Sequence, residues 1–335
     1  MRDRTNLLPV LFIHVVFCFP TLLFAADLQS DSQRHLTPTA PLWHTSEAEH
    51  IYGFPDLKHN KKGALTLNGD SLTFTSPSGE VSIPRSSVTA VSAGNQRVEI
   101  WGLGGRLLRM TIPDGGGLAA AAVMQHRIDM LTVEYRDTRG AGHGAVFFLP
   151  STEAQGALRS FAVAPAIARS PIEDACHTTS IDPRSVVVAA PNWDRATVPA
   201  AYRALVYEHL IDRLRQTKGI GRVYRQGEGY GPDGCPQYTI HIAISGFKEG
   251  SSVQRAFMGP VGMFVGTTQM QFDVDFRDAA GALNIHEQVK ATMRGESEST
   301  NVADHVAKSL TKRYTVALEN AEKNKTGKGT NHPAS

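Results

Sequence analysis

Cys176 and Cys235, thirteen histidines, one GxGxxG run and two aspartates two residues apart are the parts of this sequence from which chemistry could be built. The glycine run, Gly229-Tyr-Gly-Pro-Asp-Gly234, follows a predicted strand, as a dinucleotide site requires. Such a site also needs a helix next, with its amino terminus facing the pyrophosphate. Here Pro232 intervenes and Cys235-Pro236 leads into a second strand, so the run reads as a hairpin loop and no cofactor is expected. The histidines form no HxH, HExxH or paired His/carboxylate array at ligand spacing, so no metal site is expected. His286 and Glu287 adjoin on a predicted strand and must point to opposite faces. Asp273 and Asp275 share the polar face of another strand, which a solvated face explains without catalysis. No GxSxG elbow is present, and no catalytic residue is assigned.

Two further stretches could contact a partner. Gly259-Pro-Val-Gly-Met-Phe-Val-Gly266 combines glycines, which let backbones approach closely, with Met263, Phe264 and Val265. With Phe257 and Met258 it forms the expected contact surface for an envelope protein; a bulged edge strand packed on its own sheet is the alternative. Lys58-His-Asn-Lys-Lys62 could touch anionic headgroups but reads as a solvated turn.

The amino terminus fixes the compartment in which these residues work. Arg2 and Arg4 precede an apolar run from Leu7 to Phe24, which ends at Ala25-Ala26. That is the layout of a secretory signal. The run is about as long as a bilayer span, so an uncleaved anchor, with membrane contact, is the alternative. His14 and Pro20 within it, and the absence of a basic flank after it, favour cleavage and a periplasmic or secreted protein. Cleavage removes Cys18, which lacks the small preceding residue of a lipid-attachment site. In an oxidising compartment, Cys176 and Cys235 then read as one disulfide. Closing that loop would stabilise the fold by roughly 4 kcal/mol in the chain-entropy description. Two buried thiols or half of a metal site are the alternatives.

Positioning these residues requires two domains. Residues 1–26 are the signal, 27–50 a polar linker, 51–165 a β domain, 166–320 an α+β domain and 321–335 a disordered tail. A net charge of +2 gives no electrostatic reason to expect nucleic acid, and 41% apolar with 20% charged residues describes an ordinary globular chain. In the first domain, Ala64–Leu67 and Ser71–Phe74 flank Asn68-Gly69, a hairpin signal. Further strands are predicted at Val81–Pro84, Arg97–Trp101, Arg106–Ile112, Asp129–Tyr135 and Gly144–Leu149. Asp114–Ala122 reads as a loop, and a helix capped by Ser151 presents Ala154, Leu158 and Phe161 on one face. GALTL, SLTF, VSIPRSSVTAV, DMLTVEYRD and HGAVFFLP, followed by that helix, resemble the bacterial PH/GRAM-like domains. The resemblance implies a small β-barrel or sandwich capped by one helix, acting as a docking platform.

The second domain opens with a strand at Arg184–Ala190 and a helix over Val198–Gln216, with Thr197 as cap and Ala201, Leu205, His209 or Leu210, and Leu214 inward. Strands follow at Gly221–Gln226, Gln237–Phe247, Gln269–Arg277 and Leu283–Met293, and a helix over Val302–Leu318 closes the domain. The alternating strands predict a mostly antiparallel open sheet packed with two helices. YRALVYEHLIDRL, RVYRQGE, GFKEGSSVQRAF and GPVGMFVGTTQMQFDVDFRDAAGAL resemble an uncharacterised α/β module of exported bacterial envelope proteins, and the resemblance implies no known reaction. The expected class is α+β. The expected function is a non-enzymatic binding or assembly module of the envelope. A periplasmic hydrolase or small-ligand-binding protein with an interdomain site is the alternative, which converging carboxylates and histidines in a cleft would favour.

Overall fold

The computed structural model describes residues 41–99, 125–162, 180–192, 195–230, 234–248, 268–279, 284–293 and 301–327. The signal segment, the Asp114–Ala122 loop and Cys176 lie outside them, as do the expected contact residues Phe257, Met258, Met263, Phe264 and Val265.

The fold is α+β, with two open sheets and three helices among the described residues. The first sheet holds β1 (Trp43–Tyr52), β2 (Lys61–Leu67), β3 (Ser71–Ser76), β4 (Gly79–Pro84), β5 (Val88–Glu99), β6 (Gln125–Arg136) and β7 (Gly142–Leu149). Their order is β4-β3-β2-β1-β7-β6-β5, with antiparallel neighbours throughout. The β2–β3 hairpin turns at Asn68-Gly69, as its sequence predicts. No ladder joins β4 to β5 among the described residues, so these strands form an open sheet; of the barrel or sandwich expected, the closed barrel is not formed by them.

The expected linker ends early, because its last part is β1, the central strand. A register shift between Thr45 and Ala48 breaks the alternation that would have marked the strand. Its partners also come from both sides, β2 next in sequence and β7 about a hundred residues away. Strand β5 covers the start of the stretch predicted at 97–101; the remainder and the strand predicted at 106–112 lie outside the described residues.

Helix α1 (Glu153–Ala162) closes one face of this sheet. Ser151 does not cap it. The first-turn amide of Ala154 instead donates to Asp129 Oδ2 of β6 at 3.2 Å, a cap supplied from across the fold. Ala154, Ala157 and Phe161 pack on Leu65, Leu67, Phe74, Leu131 and Phe147, all of them buried. His50 is fully buried in the same layer, with its ring centroid 4.8 Å from Phe54 and 5.7 Å from Phe147.

The second sheet is built from β8 (Ile181–Val188), β9 (Arg222–Arg225), β10 (Cys235–Lys248), β11 (Thr268–Asp278) and β12 (Asn284–Met293), in the order β12-β11-β10-β8-β9. Strands β10, β11 and β12 pair antiparallel as predicted. Strand β8 pairs parallel with both β10 and β9, so this end of the sheet is a β-α-β unit crossed by helix α2 (Ala200–Arg215). Parallel neighbours need such a crossover. Thr197 does not cap α2: Pro199 occupies the cap position and no side chain caps it. Helix α3 (Asn301–Gly327) runs past the predicted end at Leu318 and into the expected tail. The last buried side chain among those described is Ala317, and the good helix formers Glu319 and Lys323 lie in the stretch beyond it.

Helix α2 joins the two halves. Ala201, Leu205, Leu210 and Leu214 are buried, but so are Ala204, Tyr207, Glu208 and Ile211 on a second stripe. A helix buried on two sides lies between layers. One core therefore runs from Ile51, Val146 and Phe148 of the first sheet, through α2, to Ile240, Ile242, Phe272 and Leu310. Strand β7 faces both cores, Ala145 and Phe147 towards α1 and Val146 and Phe148 towards α2, which explains its apolar run from Ala145 to Leu149.

Candidate functional site

The two halves approach closely at Gly144 of β7. A Cβ placed there would lie 2.6 Å from Ala204 Cβ of α2, so glycine is required for the helix to sit this close. One turn further along α2, the buried Glu208 turns its carboxylate to the same strand. Its Oε1 accepts the Gly144 amide at 2.9 Å and an Arg225 N–H at 2.8 Å, and its Oε2 accepts the second Arg225 N–H at 2.6 Å. Arg225, at the end of β9, also donates to the Gly142 carbonyl at 3.0 Å. Burial is the larger influence on Glu208 and pushes its carboxyl up. For Arg225 the desolvation penalty is outweighed by Glu208 beside it, and its pKa is raised. Bidentate geometry with three hydrogen bonds into one carboxylate is that of an ionised pair.

The β6–β7 hairpin tip is pinned over this pair. Asp137 Oδ1 accepts the amides of Arg139 and Ala141, both at 2.9 Å. The tip then meets the segment after β9: the Gly142 amide donates to the Gln226 carbonyl at 3.0 Å, and Arg139 lies 3.2 Å from Glu228. Gly140 and Gly227 both have positive φ, +85° and +78°, and a Cβ on Gly140 would lie 2.6 Å from the Gly227 carbonyl oxygen.

Beside the pinned tip a cleft of about 370 Å³ opens between the halves. Its walls are Glu134 and Tyr135 of β6, His143 of β7, and Arg203 and Tyr207 of α2, with Ala190 and Thr89 at the rim. The Tyr207 hydroxyl is engaged from behind, donating to the Val188 carbonyl and accepting the Gln226 amide. Arg203 approaches Glu134 to 3.6 Å, an ion pair longer than a hydrogen bond. Burial pushes the Glu134 carboxyl up against the pull of Arg203. His143 stacks on Tyr135 with centroids 5.1 Å apart, and its Nε2 lies 3.4 Å from Asp137 Oδ2. Burial, followed by the Arg225 charge, lowers its pKa to about 4, so the ring is neutral at pH 7.

A second junction cluster holds the opposite end of α2. Tyr52 of β1 donates to Asp212, and its ring lies 4.1 Å from that of His209. Arg213 grips Asp304 of α3 through bonds of 2.6–2.9 Å, and His209 approaches Asp304 at 3.6 Å. Burial lowers the His209 pKa to about 4.

The residues singled out by sequence stand elsewhere. Asp273 and Asp275 lie on the polar face of β11, the first 3.2 Å from Arg195 and the second 2.9 Å from His286. Glu287 points to the other side and meets Arg313 at 2.6 Å. Cys235 is buried at the start of β10. Gly234, with φ +112°, leads directly into that strand. No group of three or more metal-ligating side chains is assembled among the described residues. Glu134, His143, Arg203, Glu208 and Arg225 were missed as candidates. The legible signal was the second stripe on α2, Ala204, Tyr207, Glu208 and Ile211, in which one acid sits among apolar neighbours.

No family model matches the chain. No curated protein matches it either. Among solved structures it is similar to the PelC dodecamer from Paraburkholderia phytofirmans, at 14% identity and a TM-score of 0.26, over 41% of this chain and 91% of that one. It is also similar to protein XCC0632 from Xanthomonas campestris, of DUF330, at 11% identity and a TM-score of 0.27, over 46% of this chain and 98% of that one. Likenesses this weak carry nothing about the chemistry of the cleft.

Proposed function

We propose that this chain is an exported, non-enzymatic binding module of the bacterial cell envelope, which takes a small ligand in the cleft between its two halves. The cleft is the observation that carries this reading. Its volume of about 370 Å³ falls in the range of small-molecule pockets, and it combines aromatic walls with a few charged groups. Both halves contribute walls, which gives the close docking at Gly144 and the buried Glu208–Arg225 pair a purpose: they hold those walls at fixed separation. Among the ionisable groups around it, Glu134 stands with Arg203, His143 with Asp137, and Arg136 donates to the Gly140 carbonyl, an arrangement of support more than of acid–base turnover.

Export rests on the amino-terminal leader, and the Cys176–Cys235 disulfide belongs to the same proposal. So does the likeness of the first half to PH/GRAM-like docking domains, supported by its seven strands followed by one helix. An envelope protein contacting Phe257, Met258, Met263, Phe264 and Val265 would be the second ligand of such a module. Ala190→Trp tests the cleft, because Ala190 is exposed at its rim and only its backbone amide is used, donating to Gln226. Fragment binding measured by calorimetry should be lost in this variant, with an unchanged melting temperature. Equal binding by the variant and the wild type would refute the cleft as the site.

A further inference from the structure

We infer that the ligand of this cleft is an uncharged aromatic hydroxyl compound, a phenol by class, whose O–H donates to His143 Nδ1. The inference rests on the reading of the cleft as a binding site and adds the class of ligand. His143 lines the cleft, and its side chain is only 4% exposed. Its Nδ1 is buried and has no hydrogen-bond partner among the described residues. The other ring nitrogen decides what Nδ1 can do. Nε2 lies 3.4 Å from Asp137 Oδ2. Against burial, the amides of Ala141 and Arg139 hold the Asp137 carboxyl below its usual range, so it is an anion and can only accept. Nε2 therefore carries the proton, and Nδ1 of the neutral ring presents a bare lone pair. A buried acceptor without a donor has lost the hydrogen bond it makes in water, and a ligand that brings a donor restores it.

The charges argue for a neutral ligand. Glu134 answers Arg203, and behind the wall Glu208 answers Arg225. Arg139 lies 3.6 Å from Asp137 and 3.2 Å from Glu228, and with Arg136 beside them the two signs balance among the described residues. An ionic ligand would enter without a counter-charge or break one of these pairs, whereas a neutral one leaves them intact. Burial also works against both members of the Glu134–Arg203 pair, raising the acid and lowering the base, so a further charge placed there meets the same penalty. A phenol satisfies both conditions: its O–H donates, and with a pKa of about 10 it is uncharged at pH 7. Its ring suits a lining that includes Tyr135, Tyr207, Ala190 and Pro191.

Three probes of one skeleton test this: 4-methylphenol, 4-methylanisole and 4-methylbenzoate, titrated by calorimetry at pH 7 into the full-length wild type and two variants. The phenol should bind about tenfold more tightly than the anisole, which keeps the ring and lacks the O–H, and more tightly than the benzoate. His143→Phe keeps an aromatic ring beside Tyr135 and removes the nitrogen, so it should bring the phenol down to the level of the anisole. In wild-type protein with nitrogen-15 histidine, the phenol should move the His143 Nδ1 resonance towards that of a protonated nitrogen and leave Nε2 nearly still. That second readout keeps the test decisive if His143→Phe proves unstable in a thermal melt. Anisole or benzoate binding as tight as the phenol, or phenol binding that leaves Nδ1 unmoved, would overturn the ligand class, and its loss in Ala190→Trp would leave the cleft standing. No binding of any probe, or binding indifferent to Ala190→Trp, would overturn both.

Discussion

The layer beneath α1 and the layer around α2 are buried to a similar degree and held together by different forces. Beneath α1, Leu65, Leu67, Leu72, Phe74, Leu131 and Phe147 form an apolar core whose ionisable members, among the described residues, are His50, Tyr135 and the capping Asp129, with no buried ion pair between them. Around α2, Glu208, Arg225, His143, Tyr52 and His209 are embedded among equally apolar neighbours. An apolar layer is non-directional and tolerates repacking. A buried ion pair is directional, and in exchange for a desolvation cost it fixes one relative placement of its two carriers. The junction thus has the property a ligand site between two halves needs, walls at a set distance.

The largest effect that would separate the two layers is at Glu208. Truncation to alanine leaves Arg225 buried without its carboxylate, and should cost about 3–5 kcal/mol, read from the denaturation midpoint. The double variant Glu208→Leu, Arg225→Met should recover most of that loss. Phe147→Ala in the other layer should cost a similar ~3–5 kcal/mol, yet no change at a single neighbour should restore it. Equal rescue in both layers would remove the distinction.

A smaller effect is expected at Gly144. Alanine there meets Ala204 Cβ at 2.6 Å and should cost about 1–3 kcal/mol through overpacking, partly relieved by Ala204→Gly. Acid should act on both layers. Burial lowers the pKa of His50, His143 and His209 from 6.5 to about 4. Between those values the unfolded chain binds protons that the folded chain refuses, so stability is complete above pH 6.5 and is lost as pH falls towards 4. His209→Gln and His50→Phe should each flatten part of the slope of stability against pH. The smallest effect belongs to the solvated face, where His286→Ala removes an exposed pair with Asp275 and should change stability by under about 0.5 kcal/mol.

The same division explains what could be read from the sequence. Strands β2, β3, β10 and β11 carry clean alternation and local turn residues, and they form where predicted. Strand β1 was hidden by its register shift and its distant partner β7. The parallel pairing of β8 and β9 was hidden because alternation does not encode strand direction. The site was least legible. Glu134, His143, Arg203, Glu208 and Arg225 come from four elements, and no spacing along the chain links β6 to β9. Its one local mark was the acid at 208 on the second buried stripe of α2.

Binding at the junction is tested most directly by amide chemical-shift mapping of the full-length protein against a fragment set of mixed charge. Shifts should gather at Thr89, Gly142 to Gly144, Ala190 and Gln226. Shifts confined to the polar face of β10, β11 and β12, or shifts absent from the cleft for every fragment, would contradict it.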